Sequence, residues 1–464
     1  FLRYGYVPAP HAIYRGVTKV LPGEVVSLDM SGAVHRRRYW SLETAARAGS
    51  ANSFSGDDRD AEDALHALLA DAVSINMMSD VPLGAFLSGG IDSSLVSALM
   101  VAAGRGPVRT FSIGFPDFGY DESVHAAAVA KHLGTAHEQM SVTAAEALAV
   151  VPSLPDIYDE PFADSSQIPT YLISRMTRAR VTVALSGDGG DELFAGYNRH
   201  VFAAGRLAML RQLPLPLRRS AAALLSAVPG AGVQAASRLL PPSLRVSQPA
   251  LKLQKLAEVL ALDGDDIWRR LVSQNNDVAA LMPGVAEHRL ALPDMEDDLL
   301  ARMQVYDAAT YLPDDILQKV DRAAMAVSLE VRPPLLDHRV VEFALALPAR
   351  LRIRNGESKW LLRRVLDRYV PRPLVERPKM GFAVPLDDWL RGPLRDWAED
   401  LLDPQRLGGG LLDAAAVRRL WEEHLTGRMN RSYGLWAVLM FEAWRRRWNV
   451  APGHIPLART AAAG

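Results

Sequence analysis

The stretch AFLSGGIDSS, residues 85–94, decides the fold. It closes the short apolar run VPLGAFL and leads into LVSALMVAA, which reads as helix. A strand, a glycine turn and then a helix is the layout of a phosphate-binding site, because the first-turn amides of a helix point outward as an anion site. Gly89 and Gly90 let backbone N–H groups approach phosphate oxygens, and Ser88, Ser93 and Ser94 add hydroxyl donors. The GK[ST] lysine of a nucleotide loop is missing, and so is the third glycine of a dinucleotide fingerprint. Asp92 would repel a phosphate unless a cation lay between them, which assigns it to magnesium. An isolated SGG is more often a capped glycine turn; the whole LSGGIDSS behind a strand favours the phosphate reading.

Outward from this turn, strand and helix alternate. DAEDALHALLADAVSINMM has helical apolar spacing, VRTFSIGF (108–115) is a strand, and DESVHAAAVAKHLG is a helix closed by Gly134. AHEQMSV and VTVALSG (181–187) are further strands. The alternation predicts an α/β fold, a doubly wound parallel sheet with helices on both faces. Beyond about residue 197, Ala/Leu/Arg-rich helical segments dominate, so the C-terminal part is expected to be largely helical. Residues 1–45 read as short strands and turns, and RAGSANSFSGDDRD (47–60) is the best linker.

A second loop repeats the design. In ALSGDGGDELFAGY (184–197), Ser186 and Gly187 follow a strand, and Asp188, Asp191 and Glu192 stand at a helix start. Capping accounts for one of these carboxylates at a positive helix end; three call for a cation, most simply Mg²⁺ shared with Asp92.

The remaining bounds are negative ones. A chain of 464 residues suggests two or three domains, and 49% apolar with 23% charged residues is ordinary for a globular enzyme. A net charge of −1 provides no basic field for nucleic acid. The sequence has no cysteine, which excludes disulfides, thiolate metal sites and a cysteine nucleophile and fits a cytoplasmic, reducing setting. No apolar run reaches the ~18 residues of a membrane span.

SGGIDSS resembles the signature of ATP pyrophosphatases, which cleave ATP between the α and β phosphates. SGDGGDELFAGY together with SLEVRPPLLDHRVVEFA narrows the likeness to the asparagine synthetase (glutamine-hydrolysing) family, over nearly the whole chain from LRYGYVPAP to about Trp448. That resemblance implies an adenine nucleotide alpha hydrolase-like fold. It also implies an AMP-forming carbon–nitrogen ligase that uses ATP and Mg²⁺. A carboxylate, by default L-aspartate, attacks the α-phosphorus to give an acyl-adenylate and pyrophosphate. Ammonia, drawn from glutamine in the full-length protein, then displaces AMP and leaves the amide, L-asparagine. Relatives that amidate sugar acids or close peptide and lactam rings share these motifs, and a catalytically inactive regulatory relative is the reading from another class. Neither nucleic acid nor membrane is an expected partner, and the resemblance leaves room for a homodimer.

Carried over residue by residue, Ser88, Gly89, Gly90, Ser93 and Ser94 match the pyrophosphate loop, and Asp92 and Asp191 the magnesium aspartates. Phe86, Leu87 and Ile113 fall where the family contacts adenosine; Ser186 and Gly187 match its ATP-contacting pair. Asp188 stands where asparagine synthetases commonly have a glutamate tied to adenylate formation. Lys359, in GESKWLLRRVL, matches a lysine that stabilises charge near the transferred phosphate. In LPDDILQKVDRAAMAVSLEVRPPLLD, the charges of Asp315, Lys319, Asp321, Arg322, Glu330 and Arg332 among apolar residues predict an ion network bordering the acceptor site. ERPKMGFAVPL (376–386) reads equally as an active-site loop or a surface loop. By the same resemblance, residues 1–46 are the tail of a glutamine amidotransferase domain and 47–59 a linker. Residues 60–464 are the synthetase domain, with a nucleotide-binding core at 60–200 and a mainly helical remainder at 201–464.

Overall fold

Five parallel strands form the centre of the molecule: β3 (Leu83–Phe86), β4 (Arg109–Gly114), β5 (Ala136–Ser141), β6 (Val183–Leu185) and β7 (Glu330–Arg332), in the order β5-β4-β3-β6-β7. The computed structural model describes residues 1–116, 121–228, 232, 249–287, 289–295, 299–377 and 384–448. Side chains alternate across the sheet as a period of two requires. Ala85 and Leu185 face one apolar cluster, with Leu65, Leu69, Leu95 and Leu99; Phe86 and Ala184 face another, with Phe111 and Leu329. Both faces are therefore covered, which is the condition for an all-parallel sheet.

The helices start where the sequence signals them. Helix α2 (Asp58–Asn76) opens on a capping box in which the Asp57 side chain accepts from the amides of Arg59 and Asp60, and the Asp60 side chain accepts from that of Asp57. Its Leu65, Leu69 and Val73, spaced four apart, are buried against α3 (Ile91–Ala102) and the helix Trp360–Leu366. Helix α4 (Ser123–Leu133) ends at Gly134, whose φ of +71° is the left-handed cap a glycine adopts without strain.

Two features of the fold carry no plain signal in the sequence. Within the stretch 47–60, helix α1 (Leu42–Ala51) covers the first residues, and Gly49 packs so tightly on the helix His338–Ala346 that a Cβ there would lie 2.9 Å from the Leu345 carbonyl. Phe54 sits edge-on against Phe343, and its N–H donates to the Ala346 carbonyl at 2.8 Å. Strand β7 is the second, because three residues with two charges give no apolar alternation. Before the sheet, β1 (Glu24–Leu28) and β2 (Val34–Arg38) form an exposed antiparallel hairpin, while Leu2, Tyr4 and Tyr6 are buried in the main core with Trp268, Trp421 and Trp436. The C-terminal part is helical, as the composition predicts, and one segment, Asp307–Leu317, winds as a wide π-type helix around Pro313.

Candidate active site

From β3 the chain moves outward through β4 and β5, then returns to the other side of β3 for β6 and β7. Crossovers from β3 and β6 thus diverge, and the gap beyond their carboxyl ends is the switch-point crevice where ligands bind in such sheets. Pairing of Ala85 with Leu185 sets the two Ser-Gly turns side by side. A Cβ on Gly187 would lie 2.8 Å from the Asp92 Cβ and 2.9 Å from the Ser93 amide nitrogen, so only glycine lets the turns meet this closely. Between them opens a cavity of about 580 Å³, lined from the first turn by Phe86, Leu87, Ser88, Gly90, Asp92 and Ser93, and from the second by Ser186, Gly187, Asp188 and Asp191. Ile113, at the end of β4, joins them.

The first turn is closed on itself. The Ser88 amide donates to Ser93 Oγ at 3.2 Å, the two hydroxyls are 3.0 Å apart, and the Gly90 amide donates to Ser88 Oγ at 3.3 Å. Two expected loop residues do not line the cavity. Gly89, at φ +74°, lies against α4, where a Cβ would be 2.8 Å from the Ala126 amide nitrogen. Ser94 is fully buried within α3, one position past the residue that faces the turn.

The second turn carries charge. Ser186 Oγ donates to Asp188 at 2.7 Å. Burial raises the Asp188 carboxyl above its ordinary pKa, and Asp92 and Asp191 push the same way against the opposing Ser186 and Lys319. Asp191 lies 2.7 Å from the Lys359 ammonium, which also bonds Asp92, so one cation joins carboxylates from both turns. Burial disfavours that ammonium, but Asp191 and Asp92 outweigh it and hold its pKa above the usual lysine range. Lys359 reaches them from a left-handed backbone position, φ +54°, with its amide donating to the Phe194 carbonyl at 3.2 Å. Gly196 makes the passage: a Cβ there would overlap both the Lys359 Cε and an Asp191 oxygen, at 2.1 and 2.0 Å. Glu192, also in the cavity wall, is bonded by the Tyr197 hydroxyl; burial, then Asp191, raises its pKa to about 7. Behind it Arg199 stacks 3.8 Å over the Tyr197 ring and donates to buried Asp307, which also holds His200 and Trp268.

A third group comes from the helical part. Lys319 donates to Asp164 at 2.6 Å, and Asp315, one helical turn before Lys319, is pushed well above the carboxylate range by burial and then by Asp164. These three line the cavity. Asp321, Arg322, Glu330 and Arg332 are not among its lining residues. Position 321, two residues from Lys319, falls on another face of the helix, while Arg322 pairs with Asp159 at 2.8 Å. Glu330 and Arg332 belong to edge strand β7; Arg332 bonds Glu330 and the carbonyls of Asn76 and Met78, tying the end of α2 to the sheet. Residues 378–383 of the ERPKMGFAVPL stretch lie outside the described residues, but Arg377 just before them lines the cavity. Sequence reasoning singled out none of Asp164, Glu122 and Arg363, all in the lining, and reached Arg377 only as part of a stretch read equally as a surface loop. Asp164 in FADSSQIP and Glu122 in YDES read as ordinary turn and cap residues, so no spacing singled them out.

Among the described residues no group of three His, Cys, Asp or Glu side chains is clustered as a metal cage. The converging pair Asp92 and Asp191 nevertheless suits Mg²⁺, a hard cation that takes one or two protein carboxylates and completes its shell with water and phosphate oxygens. Among the described residues no helix is long and apolar enough to cross a membrane.

Residues 64–446 match the family described as Asparagine synthase. Over 448 residues the chain is 36% identical to a putative glutamine-hydrolyzing asparagine synthetase of Mycobacterium tuberculosis strain H37Rv, spanning 95% of this chain and 65% of that protein. Glutamine-hydrolyzing asparagine synthetase 1 of Bacillus subtilis is 29% identical over 445 residues, 96% of this chain and 67% of its own. The amidase chyE of Penicillium rubens is 24% identical over 456 residues, 89% and 65%. The chain thus spans about 65% of the length of the mycobacterial relative. With the family match running through both Ser-Gly turns, Lys359 and most of the helical part, the chain belongs to the asparagine synthase family.

Proposed function

We propose that this chain carries the ligase half of an ATP-dependent amide-forming reaction. A substrate carboxylate is activated as its acyl-adenylate with loss of pyrophosphate, and ammonia, drawn from glutamine in a longer protein, then displaces AMP. The observation that carries the reading is the meeting of the two Ser-Gly turns, with carboxylates from both on the Lys359 ammonium at one cavity. A carboxylate is a poor electrophile until one oxygen becomes part of a good leaving group. The protein's share is therefore positioning and charge neutralisation.

In this reading Phe86, Leu87 and Ile113 pack the nucleoside, and Ser88, Gly90, Ser93, Ser186 and Gly187 border the phosphates. Asp92 and Asp191 would hold Mg²⁺, which when bound supplies charge neutralisation at the phosphate oxygens. Lys359 places a fixed positive charge at the transferred phosphate. As the C–N bond forms, ammonia must shed a proton; Glu192, poised near neutrality beside Tyr197, is suited to accept it.

L-Aspartate is the default acceptor. A second reading, another carboxylate acceptor, is favoured by Asp188: its shorter side chain is tied back to Ser186 at 2.7 Å. The test is pyrophosphate release from ATP with Mg²⁺, ammonium and a panel of amino-acid, sugar-acid and peptide carboxylates. Acceptor-dependent pyrophosphate matched by AMP is expected. Silence across the panel, or ADP and phosphate as products, overturns the proposal.

A further inference from the structure

The first turn uses up much of its own donor capacity. The amides of Ser88 and Gly90 are engaged by Ser93 Oγ and Ser88 Oγ, and Lys359 is engaged by Asp92 and Asp191. A leaving pyrophosphate carries several negative charges and needs a preorganised cationic donor of its own. Arg377 stands beside the turn. Its side chain is 13% exposed and lines the cavity, and Nη2 donates to the Ser88 carbonyl at 2.9 Å. Glu122 Oε1, at the start of α4, is 3.8 Å away, beyond direct hydrogen-bond reach. Nη1 is enclosed and meets no acceptor among the described residues. A buried guanidinium nitrogen without an acceptor is costly, so the arrangement points to a ligand that supplies one.

We propose that Arg377 is the clamp for the departing pyrophosphate and takes the place of the absent P-loop lysine; the proposal rests on reading the cavity as an ATP site. The residue type matters. A planar fork can hold the Ser88 carbonyl with one nitrogen while the other meets a phosphate oxygen, whereas an ammonium is a single point charge. Glu122 is the counter-charge at rest, partly displaced when phosphate arrives.

The experiment measures pyrophosphate as a product inhibitor of amide formation, and AMP binding by calorimetry, in the wild type, Arg377→Ala, Arg377→Gln and Glu122→Gln. AMP lacks the β and γ phosphates, so its affinity reports an intact nucleoside site. Both Arg377 variants should weaken pyrophosphate inhibition about tenfold or more, the worth of a charge-assisted hydrogen bond, with AMP affinity within about twofold. Glu122→Gln should strengthen the inhibition. Unchanged pyrophosphate inhibition, or equal loss of AMP and pyrophosphate, overturns the clamp while leaving the ATP site standing. If Arg377→Ala fails to fold, Arg377→Gln, which keeps a donor for the Ser88 carbonyl, decides; if that also fails, Glu122→Gln does, and no gain there overturns the clamp. A wild type that binds neither AMP nor pyrophosphate removes the ATP-site reading itself.

Discussion

After β3 the Ser-Gly turn feeds α3, a helix of 12 residues; after β6 it feeds Gly190–Leu193, a helix of 4. The longer helix brings a macrodipole whose positive end faces the cavity, and its turn contributes a single carboxylate, Asp92. The shorter one brings almost no dipole and places Asp188, Asp191 and Glu192 in the cavity wall. One plan, strand then Ser-Gly, has thus been turned to opposite electrical ends: the first side presents the positive end of a helix, and the second supplies negative charge that must be neutralised. Lys359 is where the two sides are balanced, since its ammonium is bonded to an acid from each. On the proposed reading, neither turn alone makes a site for a triphosphate with its counter-ion. The chemistry arises from their apposition across Gly187.

The largest effect expected from breaking this balance is that of Asp191→Asn. The substitution keeps size and removes the charge, so of the two carboxylates on Lys359 that of Asp92 remains, and the second side loses its metal-suited carboxylate. Pyrophosphate release should fall by at least about 10²-fold, the scale of losing one preorganised charge at a transition state, while thermal unfolding stays close to the wild type. Turnover within a few-fold of normal would show that the two sides do not act together.

A smaller effect is expected from Glu192. In the folded chain it keeps its proton to about pH 7, whereas the unfolded carboxyl gives it up near 4.5. Between those values the folded state binds the extra proton, so stability falls as pH rises, and the slope levels off above about 7. Activity runs the other way, because a base must be deprotonated: the rate should climb through the same window. Glu192→Gln should flatten both curves. Parallel pH curves for variant and wild type, in melting and in rate, would remove Glu192 from the second side's charge.

The legible part of this molecule is the part built from local rules. Strand, glycine and helix follow one another within ten residues at 85–94, and a doubly wound sheet then has few ways to arrange its switch point. Both turns were therefore readable, and Asp92, Asp188 and Asp191 with them. What remained hidden depends on the path of the chain through space. Arg377 is 289 positions from the Ser88 carbonyl it bonds, and Lys319 is 155 from Asp164. Among Asp315, Lys319, Asp321 and Arg322 a segment of charges was visible, but not which of them line the cavity: Asp315 and Lys319 do, while Asp321 lies two residues off that face and Arg322 turns to Asp159. Glu330 and Arg332 looked like a continuation of that network because a three-residue edge strand leaves no pattern to read. Gly89 shows the converse, since a glycine in a phosphate motif is required here by the backbone of α4.

Ser93→Ala should give the smallest effect, and it tests the other side of the comparison. If the first turn is held by its own hydroxyls, removing Ser93 Oγ loses its bonds to the Ser88 amide and hydroxyl, at 3.2 and 3.0 Å. It also releases that amide toward the phosphates. The lost bonds cost about 0.5–1.5 kcal/mol, seen as a small drop in melting temperature. The freed amide offsets part of any lost contact with ATP, so the KM for ATP should change by no more than about threefold. A loss as deep as that of Asp191→Asn would mean that the serine hydroxyl itself holds the substrate. The first turn would then be no self-closed frame that works through its backbone but a second set of reacting side chains, and the division of labour between the two turns would fail.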